Sequence, residues 1–276
     1  MNWKTIQTIA LKDIKQARQN RAVWRPLLVV PLIFVIVLPL MLISVSSGFM
    51  GSQQSLTNDP DLALFMERMP EFMVNLVSGL NEMQAGIVLV LGYLFAPLFL
   101  ILPLMYSTVI AAESFAGERE RKTIEALLYT PATDGELFIG KVLAAFIPAV
   151  MITLLCFLGY IIVLNTAAFS IMGKIWFPLP GWYPLILWVS PAISLLGIAA
   201  TVIISAKTQT FMGAYQTSAS LVIVVLALLA GQATGVVYLN VLVALAVGAV
   251  IFAIDAVLFY FAIRGFNREK LLVSAN

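Results

Sequence analysis

Six long apolar runs punctuate this chain, at about 27–47, 86–110, 138–164, 185–205, 213–231 and 239–263, and its charged residues gather between them. A helix needs about 20 apolar residues to cross a hydrocarbon core of about 30 Å, so each run predicts a membrane-spanning helix. The expected fold class is therefore all-α, a polytopic membrane protein forming one transmembrane domain over residues 1–276. The second and third runs are long, which predicts tilt or an end that protrudes from the bilayer. Only Ala206–Phe211 separates the fourth from the fifth.

The polar stretches carry patterns of their own. At about 100° per residue, Trp3, Ile6, Ile9, Ala10, Ile14, Ala17 and Trp24 share one arc of residues 1–25, and Lys4, Lys12, Lys15 and Arg18 a neighbouring one. Leu11, Asp13 and Arg21 interrupt the pattern. This predicts an amphipathic helix in the membrane interface, apolar side in acyl chains and lysines among anionic headgroups. In segment 48–84, Leu62, Phe65, Met66, Met69, Phe72, Met73, Leu76 and Leu80 recur at helical spacing around Pro70, which predicts a kinked helix or two short ones. It fits a partner surface, a gate, or a helix resting on the outer leaflet. Segment 165–184 holds Trp176, Phe177, Trp182 and Tyr183 among prolines, the composition of an interfacial aromatic belt.

Composition narrows the chemistry. Of the 276 residues, 61% are hydrophobic and 11% charged, against roughly 25% charged in soluble domains. There is no histidine, and the one cysteine, Cys156, lies inside a span. Histidine-based dyads, histidine-ligated zinc and cysteine metal clusters are thus ruled out. No catalytic, cofactor-binding or metal-binding residue is expected, and a net charge of +2 gives no reason to expect nucleic acid. The apolar run after the basic start exceeds a signal h-region, so the first span is expected to be retained. With both termini inside, the inner segments hold 14 Lys and Arg and the outer loops only Arg68 and Lys174. That asymmetry predicts cytoplasmic termini in a cell membrane.

The largest charged inner segment is Glu113–Lys141, between the second and third spans. Glu118 to Lys122 and Arg121 to Glu125 are opposite charges four apart, which predicts a helix from about Gly117 to Tyr129. Thr130–Pro131 should end it. Thr133 and Glu136 form a capping box for the third span, with Lys141 expected to snorkel toward the interface. Such a helix could pass a push from a soluble partner into the membrane, or simply keep a hairpin soluble.

The series Glu113, Gly117-Glu118-Arg119-Glu120, Thr123-Ile124-Glu125, Leu127-Leu128, Thr130-Pro131, Glu136 and Gly140-Lys141 closely resembles the first cytosolic loop of six-span, second-class ABC export permeases. The rest of the layout is similar too: a basic N-terminal helix, six spans and a larger first external loop. Lys122, where the family often has glycine, and Gly135, where it often has arginine, depart from the pattern. The resemblance implies a permease subunit of an ATP-driven exporter. It implies that a separate ATPase docks on a coupling loop at 113–136, through Glu113, Gly117, Glu118, Arg119, Glu120, Thr123, Glu125, Leu127 and Leu128. A second permease subunit, identical or paralogous, would pair with this one. ATP-Mg would sit on the partner, and the chain itself has no GxxxxGK[ST] phosphate loop.

Polar and broken positions within the spans are few. Asp255 is the one carboxylate well inside a span. It lines a pathway or binds a cation, or else it is a protonated or bonded structural group. It also supports the alternative function, a secondary transporter or channel driven by an ion gradient. Glu113 could pair with Arg119 or Lys141. Pro97, Pro103, Pro148 and Pro191 predict backbone breaks. Ser194, Gly197, Thr201 and Ser205 form a small-residue stripe suited to close helix contact, within the chain or between copies.

Overall fold

A computed structural model describes residues 2–49, 71–121, 123, 132–208, 210–234 and 239–265. Six helices in it are long and apolar enough to cross a membrane: Leu27–Val45, Glu82–Glu120, Asp134–Ala167, Trp182–Ser205, Phe211–Ala233 and Val241–Arg264. They are the six predicted runs, with the second and third extended. At 1.5 Å per residue these two, of 39 and 34 residues, are about 58 and 51 Å long, well beyond a hydrocarbon core. For the second span, protrusion accounts for the excess. Tyr106 donates its hydroxyl to the carbonyl of Leu27 (2.6 Å), which sets it level with the start of the first span. The second span continues 14 residues past Tyr106 to Glu120, about 20 Å further.

The second and fourth spans are the most enclosed, and the contact between them is the most extensive of any two helices. Gly197 makes that approach possible: a Cβ there would stand 2.5 Å from Ser107 Oγ and 3.1 Å from Thr108 Cγ2. Ser194, Gly197, Thr201 and Ser205 are all buried, so the small-residue stripe is an internal seam. Ser194 and Thr201 return their hydroxyls to the carbonyls of Ser190 and Gly197, which satisfies them within their own helix. The outward faces carry exposed Leu155, Ile162, Leu187, Leu242 and Phe261, as lipid contact requires.

Among the described residues four stretches widen into π-helical turns: Ile33–Val37, Val88–Leu94, Glu113–Gly117 and Leu185–Val189. Three lie just before Pro39, Pro97 and Pro191, where a missing N–H frees the carbonyl four residues earlier. Glu113–Gly117 has no such proline.

The N-terminal helix, α1 (Trp3–Gln19), is begun by Asn2, whose side chain accepts from the Lys4 N–H. Its buried residues Ile6, Ala10, Asp13 and Ala17 face the bundle, chiefly the third span. At Gly140 of that span a Cβ would stand 2.8 Å from Ile9 Cγ2 and 3.2 Å from the Ile6 carbonyl. Ile6, Ala10 and Ala17 of that apolar side are therefore covered by protein and not, as expected, by acyl chains, while Trp3 stays exposed. The reason is Gly140, whose missing side chain admits the α1 backbone.

Beyond the first span, the described part of the loop is a short helix, Glu71–Val77, with Met73 buried. Leu62, Phe65, Met66, Met69 and Pro70 lie outside the described residues. The predicted aromatic belt is corrected. Phe177 and Trp182 are buried in the protein, and only Tyr183 of the four is exposed. Asn165 turns the segment inward, donating to the Phe177 carbonyl and accepting from the Trp176 and Phe177 N–H groups.

Candidate functional site: a charged junction at the end of the second span

The third span opens as its sequence dictates. Thr133 accepts from the Glu136 N–H and Glu136 accepts from the Thr133 N–H, a complete capping box. The same Glu136 carboxylate accepts from the backbone N–H of Asn2, which anchors the start of α1. Two turns further along, Lys141 is buried instead of reaching for the interface. Its ammonium donates to Asp13 Oδ2 (3.2 Å), Glu118 Oε2 (2.5 Å) and the Ser114 carbonyl (2.6 Å). It also lies 5.5 Å from the centre of the Phe115 ring. Lys12 completes the cluster from the rim, at 3.0 Å from Asp13 and 2.5 Å from Glu118.

Two lysines against two carboxylates leave no net charge, as a buried cluster requires. Asp13 is the residue that interrupts the apolar arc of α1, and it does so because it supplies one of those carboxylates. The Ser114 hydroxyl donates to it. Burial alone would raise the Asp13 carboxyl, but Lys141, Lys12 and Ser114 outweigh that and hold it below the ordinary carboxylate range. Burial would lower the Lys12 ammonium, and the two carboxylates outweigh that and raise it. The π turn Glu113–Gly117 lies against this cluster and presents the Ser114 carbonyl to Lys141.

A second pair sits beside the first. Glu113 accepts from Arg121 and from Asn20 Nδ2 (3.0 Å). Its partner is thus Arg121, neither Arg119 nor Lys141, because Lys141 is engaged by Asp13 and Glu118 and Arg119 points elsewhere. Gly117 makes room for the pair: a Cβ there would meet Glu113 Oε2 at 2.9 Å and Arg121 Nη2 at 3.1 Å.

Glu118, Arg119 and Glu120 each grip a different part of the bundle. Glu118 holds α1 and the third span through Lys12 and Lys141. Arg119 donates to the carbonyls of Ser205 (2.8 Å) and Thr208 (3.3 Å), at the C-terminal end of the fourth span. Glu120 accepts from the Phe211 N–H (2.7 Å), at the N-terminal end of the fifth. The signs match the helix dipoles, a cation on a carbonyl end and an anion on an amide end. Three consecutive side chains therefore tie α1 and the third, fourth and fifth spans to the end of the second.

Among the sequence-predicted site residues, Glu113, Gly117 and Glu118 are buried, Arg119 is half-buried, and Glu120 and Thr123 are exposed. Glu125, Leu127 and Leu128 lie outside the described residues, as does Lys122, the expected partner of Glu118. Asp13, Ser114 and Lys12 were not expected at this site, and Lys141 was expected there only at the interface or as a partner of Glu113. Among the first three, only the break that Asp13 makes in the apolar arc was a signal.

Asp255 stands apart, buried in the sixth span, and its carboxylate oxygens have no hydrogen-bond partner among the described residues. Among those residues no cluster of potential metal ligands occurs.

The opposite end of the bundle is held differently. The carbonyls of Leu91, Gly92 and Tyr93, in the second π turn, accept from Tyr160 Oη (2.9 Å), Trp182 Nε1 (2.6 Å) and Gln232 Nε2 (2.9 Å). Those donors come from the third, fourth and fifth spans. Phe99, Phe157 and Phe177 pack around Tyr160 and Trp182 with ring centres 4.9–6.4 Å apart.

Six helices long and apolar enough to cross a membrane make this a multi-pass membrane protein. It belongs to the ABC-2 transporter family, whose model, described as "ABC-2 family transporter protein", matches residues 7–263 and so nearly the whole chain. No curated protein and no solved structure matches it.

Proposed function

We propose that the chain is the permease subunit of an ATP-driven ABC exporter, non-catalytic itself and worked by separate ATPase subunits that carry ATP-Mg. The α1 end faces the cytoplasm, in keeping with the 14 to 2 distribution of Lys and Arg. Two permease subunits, identical or paralogous, enclose the translocation path. The observation that carries this reading is the junction at Glu118-Arg119-Glu120. It lies where the second span hands over to the segment 121–133, and it grips α1 and three other spans. A partner that moves that segment moves four elements together. Within the described residues Glu120, Arg121 and Thr123 are exposed and available to such a partner, while Glu113, Gly117 and Glu118 transmit from inside.

The test is purification from the native host with co-purifying ATPase and transport both measured. Glu120→Lys turns attraction for the fifth span into repulsion and is expected to uncouple ATP hydrolysis from transport while the complex still assembles. A chain that purifies without any ATPase, and transports without ATP, would overturn the reading. One observation favours a second reading, a gradient-driven transporter: the carboxylate of Asp255, which has no hydrogen-bond partner among the described residues. That reading requires transport to persist without ATP and to vanish in Asp255→Asn.

A further inference from the structure

A cavity of about 300 Å³ opens where α1 meets the bundle, lined by Ile14, Ala17, Leu27, Ile110, Pro148 and Ile152, with Arg18 the one charged residue among its described lining. Its level in the bilayer follows from Leu27, the first residue of the first span. The cavity thus lies where acyl chains give way to headgroups. Pro148 lies within the third span, which runs through it as one unbroken helix, and it removes one backbone donor from the cavity wall.

Arg18 differs from the other cations turned toward the bundle. Lys12 and Lys141 are each shared between two carboxylates. Arg18 is exposed and makes no ion pair or side-chain hydrogen bond with a described residue, although it adjoins an apolar hollow. An apolar hollow with one free guanidinium at its rim, at headgroup depth, is complementary to an amphiphile with an apolar chain and an anionic head.

We infer that this cavity binds one anionic phospholipid of the leaflet at the α1 end, an acyl chain among Ile14, Ile110 and Ile152 and its phosphate on Arg18. The bound lipid fills the gap between α1 and the third span, so α1 rests on lipid at its C-terminal half and on Gly140 at its N-terminal half. The site stands whether or not an ATPase drives the protein.

Native mass spectrometry of the full chain, released from micelles containing phosphatidylglycerol or phosphatidylcholine, tests it. Wild type is expected to retain phosphatidylglycerol about fivefold better, the size of one juxtamembrane charge. Arg18→Gln should remove that preference and leave phosphatidylcholine retention unchanged, which also shows that the variant is folded. Ile152→Phe, which fills the hollow, should reduce retention of both. Excess inorganic phosphate should not displace the lipid. The inference fails if the preference survives Arg18→Gln, if Ile152→Phe leaves retention intact, or if inorganic phosphate competes and so reveals a bare anion site.

Discussion

The two ends of the second span face the same problem and solve it with opposite chemistry. At each end, polar groups must be satisfied while several helices are held together. At the α1 end the agents are charges: Asp13, Glu118, Lys12 and Lys141 in one cluster, with Arg119 and Glu120 on the ends of the fourth and fifth spans. At the far end they are neutral donors, Tyr160, Trp182 and Gln232, on three consecutive carbonyls inside an aromatic cluster. Neutral bonds between rigid rings define one geometry. Charge pairs act over longer distances and can exchange partners, so a charged joint tolerates displacement. The contrast makes the far end an anchor and the α1 end a joint.

Lys141→Ala should show the largest effect. It leaves the buried carboxylates of Asp13 and Glu118 with Lys12 alone between them, and breaking a buried pair costs about 3–5 kcal/mol. Thermal unfolding in detergent should register it directly. The double variant Asp13→Asn with Lys141→Met leaves Lys12 facing Glu118 and should be the more stable of the two. A double variant no better than Lys141→Ala would mean that packing, and not charge balance, holds the junction. Trp182→Phe comes next. It preserves a ring against Phe157 and Tyr160 but leaves the Gly92 carbonyl without that donor, a loss of about 1–3 kcal/mol. Were Trp182→Phe to cost more than Lys141→Ala, the aromatic end would hold the bundle more strongly than the charged one.

What the sequence disclosed depended on the range of the interaction. The six spans were legible because bilayer thickness fixes the length of an apolar run. The capping box of Thr133 and Glu136 was legible because both partners lie within one turn. The junction was visible as a charged motif, but its long-range pairings were not. Spacing rules suggested Lys122, which lies outside the described residues, and the structure pairs Glu118 with Lys141, 23 residues on, and Lys12, 106 residues back. No local pattern encodes such a contact. The aromatics of 176–182 failed for a related reason, since composition fits a lipid belt and a buried cluster equally well. Asn165, whose three hydrogen bonds turn the loop inward, had given no sign of that role.

The smallest predicted effect concerns pH and distinguishes the two ends most cleanly. Asp13 lies below its ordinary value of 3.8 in the folded protein. A carboxyl lowered in this way contributes stability that is complete above its unfolded value and disappears as pH falls through the lower folded one. Lys12, raised above its ordinary 10.5, contributes stability that is complete below that value and disappears as pH rises through the higher folded one. Docking of α1 should therefore be flat across neutral pH and loosen only below about pH 4 and above about pH 10.5. Amide exchange of α1, compared with that of the segment around Trp182, measures this at each pH. The neutral donors of the far end give that segment no reason to follow. If α1 loosened between pH 5 and 8, a group other than Asp13 and Lys12 would control the joint. Simultaneous loosening of both ends at low pH would show that the bundle opens as a whole, and that the charged joint has no independence from the aromatic anchor.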